Sequence, residues 1–64
     1  MTIHQQIKDL RIQLGLTQDQ LAKKSNLSRY TIVRIEQGKD TSIDTLKMVV
    51  EAMGGKLVAT IQEQ

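Results

Sequence analysis

The stretch from Thr17 to Gly38, TQDQLAKKSNLSRYTIVRIEQG, leaves few folds open to this chain. It holds two sets of helix start and stop signals with almost nothing between them. Thr17 and Gln20 form a Thr-x-x-Gln capping box, in which the hydroxyl accepts from an early backbone N–H while the glutamine reaches back to the cap. Leu21 and Ala22 supply the apolar stripe of a first helix that ends near Lys24. Ser25, Asn26 and Leu27 make the turn, and Asn26 tolerates left-handed backbone better than most residues. Ser28 can cap a second helix in which Ile32 and Ile35 face inward, with Leu27 just before them. Gly38 suits the left-handed position that stops it. Arg29, Tyr30, Thr31, Val33, Arg34 and Gln37 are left on the outside. Such an outer face makes little sense unless something lies against it.

The rest of the chain reads as two more helices and a change of period. Thr2 and Gln5 repeat the capping-box pattern, and Ile3, Ile7, Leu10 and Leu14 form one apolar face that Gly15 ends. Ile12 lies off this stripe. After the loop Lys39-Asp40-Thr41, either a Thr41-x-x-Asp44 box or Ser42 can start a fourth helix, with Ile43, Leu46, Val49, Val50 and Met53 inward. The expected helices are about residues 3–14, 17–24, 28–37 and 43–53, a compact all-α domain spanning 1–64. Beyond Gly54-Gly55, the run over 56–62 is rich in β-branched residues and alternates, which predicts a strand. A fifth helix is the competing reading, disfavoured by the two glycines and the scarcity of strong helix formers. A lone strand leaves its backbone groups unpaired. Antiparallel pairing of Leu57, Val58, Ala59, Thr60 and Ile61 with a second copy is the simplest remedy, giving a homodimer.

Composition narrows the functional classes. At 64 residues a single core is marginal, and without cysteine neither a disulfide nor a thiolate metal site can support it. One histidine, His4, builds no metal site alone and is expected at the surface. No catalytic constellation, cofactor loop or membrane-length apolar run is present, so the chain is read as a soluble, cytoplasmic non-enzyme with no cofactor. The net charge of +2 is small, but it is unevenly distributed. Residues 1–39 carry Lys8, Arg11, Lys23, Lys24, Arg29, Arg34 and Lys39 against Asp9, Asp19 and Glu36, while the balance beyond is acidic. Positive charge therefore sits with the two-helix unit, where a phosphate backbone would lie.

Two helices joined by so short a turn have the shape of the DNA-reading helix-turn-helix. RIQLG (11–15), LTQDQLAKKS (16–25) and SRYTIVRIEQGK (28–39) resemble the Cro and phage-repressor helix-turn-helix family, the XRE type, over about residues 3–54. The Gln-x-x-Leu-Ala positions and the Ile-x-x-x-Glu-x-Gly ending carry the match. The resemblance implies a lambda-repressor-like domain that binds double-stranded DNA, its second helix in the major groove and its first crossing the backbone. Arg29, Tyr30 and Arg34 then fall where bases are commonly read, with Thr31 and Val33 as weaker candidates. Arginine can donate twice to guanine O6 and N7, and Tyr30 can pack on a thymine methyl or donate to a phosphate. Thr17, Gln18, Ser28, Gln37 and Lys39 are the expected phosphate contacts, Thr17 and Gln18 at a helix N-terminus. Asp40 would repel phosphate, so none is expected beyond Lys39. Lys23 and Lys24 are read as solvating the helix end. In this family an arginine and a glutamate matching Arg11 and Glu36 form a partly buried ion pair, a structural role. The leading expectation is a dimeric repressor of transcription. The alternative is an antitoxin that restrains a toxin protein and regulates its own operon, since HipB-type members of the family end in a similar strand.

Overall fold

The computed structural model describes residues 2–39 and 41–57, which form α1 (Ile3–Gln13), α2 (Gln18–Ser25), α3 (Arg29–Glu36) and α4 (Ile43–Ala52). Each helix starts on a hydroxyl that accepts from the backbone N–H three residues on, which relieves one of the unpaired first-turn donors. At α2 the capping box is complete, with Gln20 N donating to Thr17 Oγ1 at 3.0 Å and Thr17 N to Gln20 Oε1 at 2.8 Å. At α1 only half of the expected box forms. Thr2 accepts from Gln5 N, but the Gln5 amide turns outward to Asp9 Oδ1 at 2.9 Å, one helical turn along. Ser42 rather than Thr41 caps α4, accepting from Thr45 N at 3.1 Å, while the Thr41 hydroxyl donates to the Lys39 carbonyl.

The turn between α2 and α3 depends on one left-handed residue. Asn26 has φ 61° and ψ 37°, and this reversal lets Leu27 N reach back to the Ala22 carbonyl at 2.8 Å. At the end of α3, Gly38 has φ +79°, and Lys39 N closes onto the Arg34 carbonyl at 3.0 Å. Both ends thus satisfy carbonyls that a helix terminus would otherwise leave bare.

Ile7, Leu21, Ala22, Ile32, Ile35, Leu46, Val49, Val50 and Met53 form the buried core, with Ile3, Leu10, Leu16, Leu27, Ala52 and Leu57 packed half-buried around it. Helix α2 lies against both α3 and α4, and α1 lies against α3. Ser25 is the one buried polar residue in this cluster, and its hydroxyl donates to the Leu21 carbonyl at 2.7 Å. Three expectations about burial are corrected. Leu14 is 48% exposed, because it sits past the last residue of α1, where the chain turns away and Leu16 takes the inward place. Ile43 is 60% exposed, because the first turn of α4 projects beyond the core. His4 is half-buried rather than at the surface, its ring beside Gly38 where the start of α1 meets the end of α3. Its Nδ1 is buried with no partner among the described residues.

No strand occurs among the described residues. Lys56 and Leu57, where the expected strand begins, are irregular, and Leu57 packs on the core of its own chain. Val58, Ala59, Thr60 and Ile61, the rest of the expected pairing strand, lie outside the described residues, as does Asp40.

One polar contact joins three of the four helices. Arg11 on α1 donates from Nε to Glu36 Oε2 at 2.6 Å and from Nη2 to Oε1 at 3.0 Å, a bidentate pair with α3. Its Nη1 donates to the Leu16 carbonyl at 2.8 Å, fixing the α1–α2 loop, and Gln18 Nε2 on α2 donates to Glu36 Oε1 at 3.2 Å. The Arg11 and Glu36 side chains are only 12% and 5% exposed, so the pair is largely out of water.

Two stability predictions follow from this packing. Ile35→Ala, at a fully buried position, should cost about 2–5 kcal/mol, whereas Leu14→Ala and Ile43→Ala should each stay within about 0.5 kcal/mol. Urea unfolding of the three variants checks the contrast, and a large loss at Leu14 would place it back in the core. For the ion pair, Glu36→Ala alone should cost about 3–5 kcal/mol by stranding the Arg11 guanidinium, whereas Arg11→Met with Glu36→Met should cost far less. Equal losses in the single and double variants would show that the pair's geometry, rather than a stranded charge, carries the stability.

Candidate nucleic-acid interface

Helix α3 has two chemically distinct sides. Ile32 and Ile35 are fully buried, which orients the helix and turns Arg29 and Tyr30 outward at its first turn. Tyr30 is 68% exposed. Thr31, Val33 and Arg34 are half-buried, and Gln37 and Lys39 are exposed beyond the helix end. The Arg34 guanidinium carbon lies 5.7 Å from the centroid of the Tyr30 ring.

An open groove runs between α1, the start of α2 and α3. It brings Thr17, Gln18, Arg29 and Gln37 together on one surface, above the Arg11–Glu36 pair. Ser28, Tyr30, Thr31, Arg34 and Lys39 are not part of this groove. Two further charged residues line it that the sequence reading did not select. Lys8 is one, and the available signal was its spacing of three residues from Arg11, which puts both on one face of α1. Asp19 is the other; in the first turn of α2 it complements the positive end of that helix, yet it adds negative charge to the same groove.

Several of the expected phosphate-contact side chains already have internal partners. Thr17 uses its hydroxyl and its own N–H in the capping box. One N–H of the Gln18 side-chain amide donates to Glu36, which leaves the second N–H of that amide as a donor. The Ser28 hydroxyl accepts from Thr31 N at 3.2 Å and shares a hydrogen bond with the Thr31 hydroxyl at 3.0 Å, so Thr31 is tied into the cap as well. What the start of α2 still offers is backbone: the N–H groups of Gln18 and Asp19 have no partner among the described residues. Lys23 and Lys24 are exposed at the far end of α2, away from the groove.

This arrangement provides hydrogen-bond donors. Guanidinium groups of Arg29 and Arg34 stand on the outer side of α3, the Lys8 ammonium stands at the groove, and free backbone N–H groups stand at a helix end. No group of three or more His, Asp or Glu able to hold a metal occurs among the described residues. No described helix is long and apolar enough to cross a membrane.

Comparison with known proteins agrees with this geometry. The immunity repressor protein of Bacillus phage phi105 is 42% identical over 65 aligned positions, which cover the whole of this chain and 45% of the relative. The chain thus spans a little under half of that protein's length. A family model described as helix-turn-helix matches residues 7–59, from the middle of α1 past the end of α4. With α2, the Asn26 turn and α3 inside that span, the chain belongs to the helix-turn-helix family.

Proposed function

We propose that this chain binds double-stranded DNA sequence-specifically and acts in repression of transcription. The observation that carries the reading is the division of α3, with Ile32 and Ile35 locked into the core while Arg29, Tyr30 and Arg34 stand on the opposite side. A helix held so firmly from behind, with arginines in front, suits the major groove, where arginine can take guanine O6 and N7 together. The phage relative, a protein described as an immunity repressor, supports the regulatory half of the proposal. No described feature favours the antitoxin alternative.

In this reading Arg29 and Arg34 carry base recognition, with Tyr30 and Thr31 beside them. Gln37, Lys39 and the free N–H groups at the start of α2 hold phosphates. Thr17, Gln18 and Ser28 keep these donors in place through their caps and the Glu36 contact, and reach phosphate with what remains. A helix of this length reads only a half-site, so two copies would address successive major grooves about 34–36 Å apart on a pseudo-palindromic operator. The alternating run from Leu57 to Ile61 remains the candidate for joining the two copies.

Three measurements test the reading. The logarithm of DNA affinity should fall linearly with the logarithm of salt concentration, by about 0.9 for each phosphate neutralised. A flat response would end the proposal. Arg29→Ala and Arg34→Ala should each cost about 1–3 kcal/mol on a duplex selected by the protein and much less on random DNA. Equal losses on both would reduce them to phosphate contacts. Removing residues 58–64 while keeping Leu57 should weaken dimerisation at equilibrium in the centrifuge, and an undiminished dimer would place the interface elsewhere.

A further inference from the structure

We propose that Tyr30 is a positioning residue for Arg34 rather than a reader of bases itself. The inference rests on the DNA-reading function above. The two residues lie four apart on α3, the spacing that places side chains one above the other on a helix face. With the guanidinium carbon 5.7 Å from the ring centroid, the contact is within the range of a cation–π interaction. Among the described residues Arg34 has no carboxylate partner, and the Tyr30 ring lies beside its charged end. Arg29, at the first residue of α3, is exposed and has no such ring over it.

The chemistry of arginine makes this contact useful. A guanidinium held over an aromatic ring by a cation–π contact keeps N–H donors on its edge free. The edge is what guanine O6 and N7 accept from. A free arginine must give up rotamer freedom when it binds, and a side chain already held by a ring gives up less. Tyr30 is largely exposed, which leaves its ring open to the guanidinium. Arg34 is therefore the pre-set reader of α3 and Arg29 the adaptable one.

The test uses the full chain and a duplex selected by it from a randomised pool, with single base-pair variants of that duplex. Tyr30→Leu should lower affinity for the selected duplex about two- to fivefold, the size of an exposed cation–π contact. The loss should fall at the base pair whose preference Arg34→Ala relaxes, and Tyr30→Leu should add nothing in the Arg34→Ala background. Tyr30→Phe, which keeps the ring and loses the hydroxyl, should retain both affinity and preference. Relaxation at a different base pair, additive losses in the double variant, or a Tyr30→Phe loss as large as that of Tyr30→Leu would each make Tyr30 a direct contact and overturn the proposal. Proton shifts of the free protein separate this outcome from failure of the DNA reading. The Arg34 Hδ resonances should be moved upfield by the ring in the wild type and in Tyr30→Phe but not in Tyr30→Leu. Unshifted resonances would remove the stacking while leaving DNA binding intact, whereas a wild type that selects no sequence would remove the function on which the proposal stands.

Discussion

The arrangement of the first three helices depends on the contact between Arg11 and Glu36. A single guanidinium binds both oxygens of a carboxylate on α3 and a carbonyl in the α1–α2 loop, and the carboxylate takes a further donor from α2. In water such a pair contributes little, but at this burial each charge needs all of its partners, so only one arrangement of the helices satisfies them. Apolar packing would tolerate small rotations of α3 about its own axis. The bidentate geometry does not, and it adds a second restraint to the one that buried Ile32 and Ile35 already place on the direction in which Arg29 and Arg34 project.

Local capping does for each helix what the ion pair does for the assembly. Helices as short as α2 and α3 are marginal in isolation, because nucleation costs more than a few hydrogen bonds return. Thr17 and Ser28 offset part of that cost by accepting first-turn donors. In the proposed mode of binding the same hydroxyls stand where a nucleic-acid backbone would approach, so that stability and recognition would draw on one small set of side chains. Asp19 shows the same tension, since it suits the end of α2 and adds negative charge to a groove otherwise rimmed by Lys8 and Arg29.

A core of this size leaves parts of every helix uncovered. Ile12, Leu14, Ile43 and Met48 are exposed, while the residues that meet at the centre are nearly all β-branched or leucine. The chain corresponds to less than half of its phage relative, and among the described residues exposed apolar side chains occur on α1 and just past its end, on α4 and, as Tyr30, on α3.

The sequence by itself determined the four helices and the turn at Asn26, because capping residues, apolar spacing and left-handed stop positions act over four or five residues and need no distant partner. It also identified the inward stripe of α3, and hence which side Arg29 and Arg34 face. Resemblance to a known family supplied the Arg11–Glu36 pair, which no local rule could reach across so many residues. Tertiary structure alone decided which apolar residues count as core: Leu14 and Ile43 keep the right spacing but stand at helix ends, beyond the reach of neighbours. It also drew Gln18 inward to Glu36, brought half-buried His4 beside Gly38, and put Lys8 and Asp19 into one groove. Each of these depends on how one helix lies against another, and helix-to-helix placement is the level at which periodicity within a single helix carries no information.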